Sequence, residues 1–202
     1  MKDPRAQLIE VGRGFYERGW MWATAGNVSA RADRDSFWIT MSGVSKGHLS
    51  REQFVRVAVA DGSVRERDDP EARPSAETAI HRAVYAARPD VQACLHGHSI
   101  EAVLASRDRA RLPLPEGEMI KALTPRAESP AVLPVFRNHH DVALIAREVA
   151  AFLGDNPDAL PAIVVADHGT TAWGRDIAQA LQHFEAVEFL LRLLVRAGGV
   201  GT

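Results

Sequence analysis

A single cysteine, Cys94, is present among the 202 residues, so a disulfide framework is excluded. It sits inside an apolar run, where a small buried thiol is the plain reading. No stretch approaches the ~18 consecutive apolar residues that mark a membrane span. Neither sign of charge dominates. The net charge is −2, so no global basic field invites nucleic acid. The opening segment, MKDPRAQLIEVGRGF, is too polar for a secretory signal. No repeat, low-complexity segment or dividing linker interrupts the chain. What is present is 46% apolar residues, enough for a sizeable core. These features lead us to expect one domain over residues 1–202, in the cytoplasm, with no nucleic-acid or membrane partner.

Helical and extended patterns alternate along the chain. Asp3-Pro4 is a good helix start, and Leu8, Ile9, Gly12 and Phe15 follow at helical spacing towards a stop at Gly19. Residues 24–29 form a small-residue loop. Residues 37–41 and 55–60 are expected strands, with the loop Ser42 to Gly47 and the capping pattern Ser50-x-x-Gln53 between them. Asp61-Gly62 is a hairpin turn signal. Residues 65–73 are a charged loop, after which Ser75 caps a helix running to about Ala87, ended by Arg88-Pro89. A short helix over 99–106 precedes a polar, proline-bearing loop over 107–116. Further strands are expected at 131–136 and 162–166, and further helices at 141–153 and 176–197. A sheet covered by helices fits this order. Periodicity alone leaves open whether its strands run parallel or antiparallel.

Two distant stretches carry the chemistry. Cys94-Leu95-His96-Gly97-His98-Ser99 ends the apolar run from Val91, and Ala166-Asp167-His168-Gly169-Thr170 ends the run from Ala162. Alternate residues of a strand share a face, so His96 and His98 point the same way and can reach one ion. A third imidazole from the other strand end, His168, makes three protein ligands with a fourth position open, the pattern of a catalytic zinc. The plain alternative is two unrelated histidine clusters. The repeated context, strand then His-Gly, argues against it. His48, His81, His139, His140 and His183 lack such a context and read as bystanders.

In chain order, Gly26-Asn27-Val28-Ser29, Ser42-Gly43, Pro74-Ser75-Ala76-Glu77, His96-Gly97-His98 and His168-Gly169 together resemble the class II aldolase/adducin family. The resemblance runs from about residue 6 to about residue 195. It is sharpened by Glu116-Gly117-Glu118-Met119-Ile120-Lys121-Ala122-Leu123, by Leu133-Pro134-Val135-Phe136 and by His168 to Asp176, which are similar to a dehydratase branch of that family. Two details depart from the pattern: the loop before Glu118 is shorter, and Thr170-Thr171 replaces a bulkier pair.

The resemblance implies an α/β fold, a three-layer αβα domain with a largely antiparallel central sheet, usually assembled as a ring-shaped homotetramer. It implies a lyase of methionine salvage that removes water from a small-molecule sugar phosphate, with one Zn2+ per subunit on His96, His98 and His168. Gly26, Asn27, Ser42, Gly43 and Ser75 are implied to bind the substrate phosphate, and turn N–H groups, hydroxyls and an amide suit that task. Lys46 nearby reads as a solvated loop lysine. Glu118 matches the acid/base residue of the dehydratases, although by itself it reads as an exposed loop glutamate beside Glu116. Glu77 is the competing catalytic carboxylate. Its match in the aldolases is a metal ligand or acid/base, yet at a helix start it could simply complement the dipole. A sugar-phosphate aldolase or 4-epimerase of the same fold is the first rival. Aldolases of the family use a tyrosine near the C-terminus, and this chain has only Tyr16 and Tyr85. A non-catalytic adducin-like binding module is the second rival, and it is expected to lose the histidine set.

Overall fold

The structure, a computed structural model, describes residues 3–124 and 131–198. The ends of the 1–202 span expected for the domain lie outside the described residues. In chain order the elements are α1 (Arg5–Glu17), β1 (Asn27–Arg31), β2 (Ser36–Thr40), β3 (Phe54–Ala58), β4 (Val64–Arg67), α2 (Thr78–Ala87), β5 (Ala93–Gly97), α3 (Ile100–Ser106), β6 (Arg111–Pro113), β7 (Val132–Phe136), α4 (Val142–Asp155), β8 (Ala162–Val165), β9 (Gly169–Gly174) and α5 (Ile177–Arg196). The strands form one sheet in the order β4-β3-β2-β1-β5-β9-β8-β7-β6. Neighbours run antiparallel except β7 and β8, which are parallel.

Strand alternation sorts the apolar side chains into two cores. Leu95 of β5 and Val164 of β8 face a core shared with Leu8, Phe15, Ala102 and Phe184, from α1, α3 and α5. Cys94, Ile163 and Val165 face the other core, shared with Ile80, Val84, Ile145 and Val149 of α2 and α4. Helices thus cover both faces, which gives three αβα layers around a mostly antiparallel sheet.

Several segments differ from expectation for physical reasons. β1 begins inside the stretch read as a small-residue loop, because both its faces are buried and no polar alternation marks it. β9 was hidden in the same way: all six of its residues are buried. β4 and β6 lie in the segments read as charged and polar loops. β4 is wholly exposed and Leu112 alone is buried in β6, so charge there marks sheet margins rather than loops. The helix after Ser75 starts later, at Thr78. Glu77 is its N-cap residue, and Ser75 forms a turn before it, accepting from the Thr78 N–H at 3.1 Å.

Candidate metal centre and active site

The strand ends near β5 and the N-terminus of α2 meet at one point. On β5, His96 shares the α2 side with Cys94, while Gly97 faces α5. β1 and β9 flank β5, placing Asn27 and Thr171 opposite His96. His168 lies in the turn joining β8 to β9. Asp167, just before it, takes a positive φ of 51°, and its backbone N–H donates to Ser106 Oγ at 3.1 Å. An acidic residue tolerates that left-handed conformation better than most.

The ligand atoms of Glu77, His96, His98 and His168 all lie within 4.8 Å of one another. Glu77 Oε2 is 3.1 Å from His96 Nε2, and Glu77 Oε1 is 2.7 Å from His168 Nε2. His96 Nε2 and His98 Nε2 are 2.9 Å apart. The outer ring nitrogens of His96 and His168 are occupied elsewhere. His96 Nδ1 lies 2.9 Å from Thr171 Oγ1, and His168 Nδ1 lies 3.4 Å from Asn138 Oδ1. Such outer partners fix each ring with Nε2 turned inward.

The donor set fits a divalent cation. Glu77 Oε1 is buried with no correctly directed hydrogen-bond donor among the described residues, despite the nitrogen 2.7 Å away. Burial pushes the His96 and His98 rings down, to about 4 and about 3. Burial alone would raise the Glu77 carboxyl, but the His96, His168 and His98 rings around it hold it well below the usual carboxylate range. At neutral pH Glu77, His96 and His98 are therefore deprotonated donors, the form in which side chains bind metal. Three imidazoles and one carboxylate suit zinc and its first-row neighbours. The sequence pattern pointed to three ligands. The carboxylate inside the same sphere comes from the docking of α2, which no local pattern encodes.

The residues assigned to phosphate gather beside Glu77. Gly26 has φ +75°, and a Cβ there would come within 2.9 Å of the His96 carbonyl oxygen. Asn27 is buried, and its Nδ2 donates to Glu77 Oε2 at 2.6 Å. The Ser42 N–H donates to Arg73 O at 2.9 Å and the Ser75 N–H to Thr40 O at 3.1 Å, so the two serine loops are laced side by side. Ser75 Oγ accepts from the Glu77 N–H at 3.3 Å. Gly43, with φ +77°, opens onto free space. Lys46 corrects the sequence reading. It is buried rather than solvated, and its Nζ donates to Thr24 O at 2.6 Å and Val44 O at 2.9 Å. Burial lowers its pKa to about 8, against the pull of Glu77. Nothing in the string Ser42 to Gly47 signals that its ammonium folds back onto carbonyls.

Glu118 stands apart. It opens the short 3-10 turn Glu118–Ala122, which packs on α5, and its exposed carboxylate pairs with Lys121 at 2.8 Å. The remaining histidines also lie outside the cluster. His81 Nδ1 bonds Ser29 Oγ at 2.7 Å, His183 Nδ1 lies 2.6 Å from Trp173 O, and His139 faces Glu148 at 3.1 Å. Thr171 and Asn138 were not foreseen as outer partners. Only the two-strand register and the β7–α4 loop bring them there.

Comparison with known proteins agrees with this geometry. Residues 6–195 match the family model described as class II aldolase and adducin N-terminal domain. A methylthioribulose-1-phosphate dehydratase from Microcystis aeruginosa is 46% identical over 200 residues, covering 98% of this chain and 97% of its own. One from Leptospira biflexa is 41% identical, covering 94% and 95%. The crystal structure of L-fuculose-1-phosphate aldolase from Thermus thermophilus superposes with a TM-score of 0.75 at 26% identity, covering 98% of this chain and 96% of that one. The chain belongs to the class II aldolase/adducin family.

Proposed function

We propose that this chain is a metal-dependent hydro-lyase converting 5-methylthioribulose 1-phosphate to 2,3-diketo-5-methylthiopentyl 1-phosphate, a cytoplasmic step of methionine salvage. The observation that carries the reading is the convergence of Glu77, His96, His98 and His168 on one point beside a set of turn donors. The substrate follows the dehydratase relatives at 46% and 41% identity. The aldolase rival lacks its tyrosine, and the binding-module rival leaves the intact cluster without a purpose.

The reaction removes a proton from C3, beside the C2 ketone, and hydroxide from C4. The resulting enol ketonises to the diketone. A C–H next to an unassisted ketone is too weakly acidic for a carboxylate base. A zinc-class ion in the cluster supplies Lewis-acid stabilisation of the negative charge that develops on the ketone oxygen. His96, His98, His168 and Glu77 would hold that ion, and Asn27 orients Glu77. Backbone N–H groups around Gly26 and Gly43, with the Ser42 and Ser75 hydroxyls, receive the phosphate. Lys46 remains charged at neutral pH and stiffens the loop that carries Ser42 and Gly43.

Glu118 takes the C3 proton and returns one to the departing C4 oxygen. On this chain its carboxylate faces solvent on the α5 side, away from the cluster. In the homotetramer that we assign to the protein, it reaches the substrate held by a neighbouring chain. Exposed Trp22, Ile100, Phe189 and Leu193 offer apolar surface for such contacts. Metal analysis tests the carrying observation. About one zinc-class ion per chain is expected in the wild type and none in His98→Ala. Full occupancy of that variant contradicts the assignment.

A further inference from the structure

Glu188 of α5 is buried in the core on the face of the sheet opposite the histidine cluster, with 3% of its surface exposed. Thr170 Oγ1 donates to its Oε1 at 2.7 Å. Ser99, on the other histidine-bearing segment, lies beside the same carboxyl and acts on it electrostatically. Ser99 directly follows His98, and Thr170 comes two residues after His168. Ser99 Oγ accepts from the Ala102 N–H at 2.9 Å, capping α3, which ties Ser99 to the helix that follows it. One side chain thus accepts a hydrogen bond from the segment that carries His168 and adjoins the segment that carries His98.

The backbone between those two hydroxyls leaves no slack. Thr170 pairs with Gly97 across β9 and β5. A Cβ on Gly169 would sit 2.2 Å from the Gly97 carbonyl oxygen, and one on Gly97 would sit 2.8 Å from Phe184 of α5. A shift of Ser99 relative to Thr170 therefore moves His98 relative to His168. A carboxyl in apolar surroundings is costly. Here burial pushes it up to about 7, and its Oε2 has no partner among the described residues. Apolar packing alone gives no reason to keep such a group in that place.

We infer that Glu188 is a positioning residue that fixes the spacing of His98 and His168, so that the metal centre is formed before the ion arrives. The inference rests on the reading of the four-residue cluster as a metal centre.

Zinc affinity, measured by competition with a chromogenic chelator, tests it in the wild type, Glu188→Gln, Glu188→Leu and Thr170→Val. The glutamine keeps an acceptor oxygen and is expected to bind zinc like the wild type. The leucine loses the acceptor for the Thr170 hydroxyl and is expected to bind about 10-fold more weakly or worse, the scale seen when outer partners of a metal site are lost. Thr170→Val removes one donor and keeps the shape, and it is expected to weaken zinc binding in the same direction. Thermal unfolding of the metal-free proteins separates positioning from mere packing. A Glu188→Leu protein that melts earlier yet binds zinc as tightly as the wild type overturns the inference. If that variant does not fold, unchanged zinc affinity in Thr170→Val overturns it equally. A wild-type protein that takes up no zinc overturns the metal centre itself, which is seen before any variant is compared.

Discussion

Asn27 and Glu77, fifty positions apart, are joined by a hydrogen bond of 2.6 Å between Asn27 Nδ2 and Glu77 Oε2. An ionised carboxylate only accepts, so the bond also fixes which way the amide points. The amide donor is committed to Glu77, and Asn27 Oδ1 has no partner among the described residues. Asn27 therefore holds Glu77 in its orientation within the cluster. Replacing Asn27 with alanine releases Glu77 from its orientation. Metal affinity is expected to fall about 10-fold, read by chelator competition. Unchanged affinity contradicts this role for the amide.

Glu118→Gln keeps shape and volume but cannot accept a proton. Metal content and substrate binding are expected to persist while kcat falls by about 10² or more. Glu77→Gln is expected to act through metal retention instead. Co-expressing Glu118→Gln with His98→Ala tests the position of the carboxylate. If Glu118 works on a neighbouring chain, roughly a quarter of the sites in a random mixed tetramer combine intact parts, and activity returns. Mixed oligomers as inactive as their parents place Glu118 within its own chain's site.

Ser75 offers a hydroxyl beside Glu77 and the Ser42 loop. In the phosphate cradle we propose, its replacement by alanine removes a donor to a charged phosphate oxygen. The loss corresponds to about 1.5–3 kcal/mol of binding and appears as a raised KM with kcat nearly kept. Kinetics identical to the wild type place the cradle elsewhere.

How much of this was legible depends on how local the cause is. The period of two along β5 announced that His96 and His98 share a face, and His-Gly after each apolar run announced the strand ends. Glu77 joins the histidines because α2 docks over that face, a tertiary event with no local signal. Lys46 looked solvated because its acceptors, Thr24 O and Val44 O, are backbone atoms that composition cannot display. β1 and β9 were obscured by burial of both faces, and β4 by exposure, since each removes the alternation that marks a strand. Glu188 falls inside the helix expected over 176–197, where nothing local sets it apart. Only the register of β9 against β5 shows what it touches.

The same carboxyl gives the protein a pH signature. In the unfolded chain Glu188 titrates near its ordinary value of 4.5, whereas burial holds it at about 7 in the fold, with Glu101 adding to the rise and Ser99, Thr170 and Arg192 opposing it. The native state therefore binds the extra proton between these values. The stabilisation is complete below about pH 4.5 and is lost as pH rises through about 7. At ~1.36 kcal/mol per unit the swing is about 3 kcal/mol. Denaturant unfolding at pH 5 and pH 8 should show this decline in the wild type and a smaller one in Glu188→Gln. Equal declines contradict it.

The central claim is that this chain dehydrates a ketose phosphate rather than cleaving it. The direct measurement is incubation of the metal-loaded protein with methylthioribulose 1-phosphate, followed by NMR, with His98→Ala as the control. The account predicts the diketone phosphate with its carbon skeleton intact, and no product from the control. Two smaller carbon fragments, or no turnover by protein that holds its metal, would contradict it.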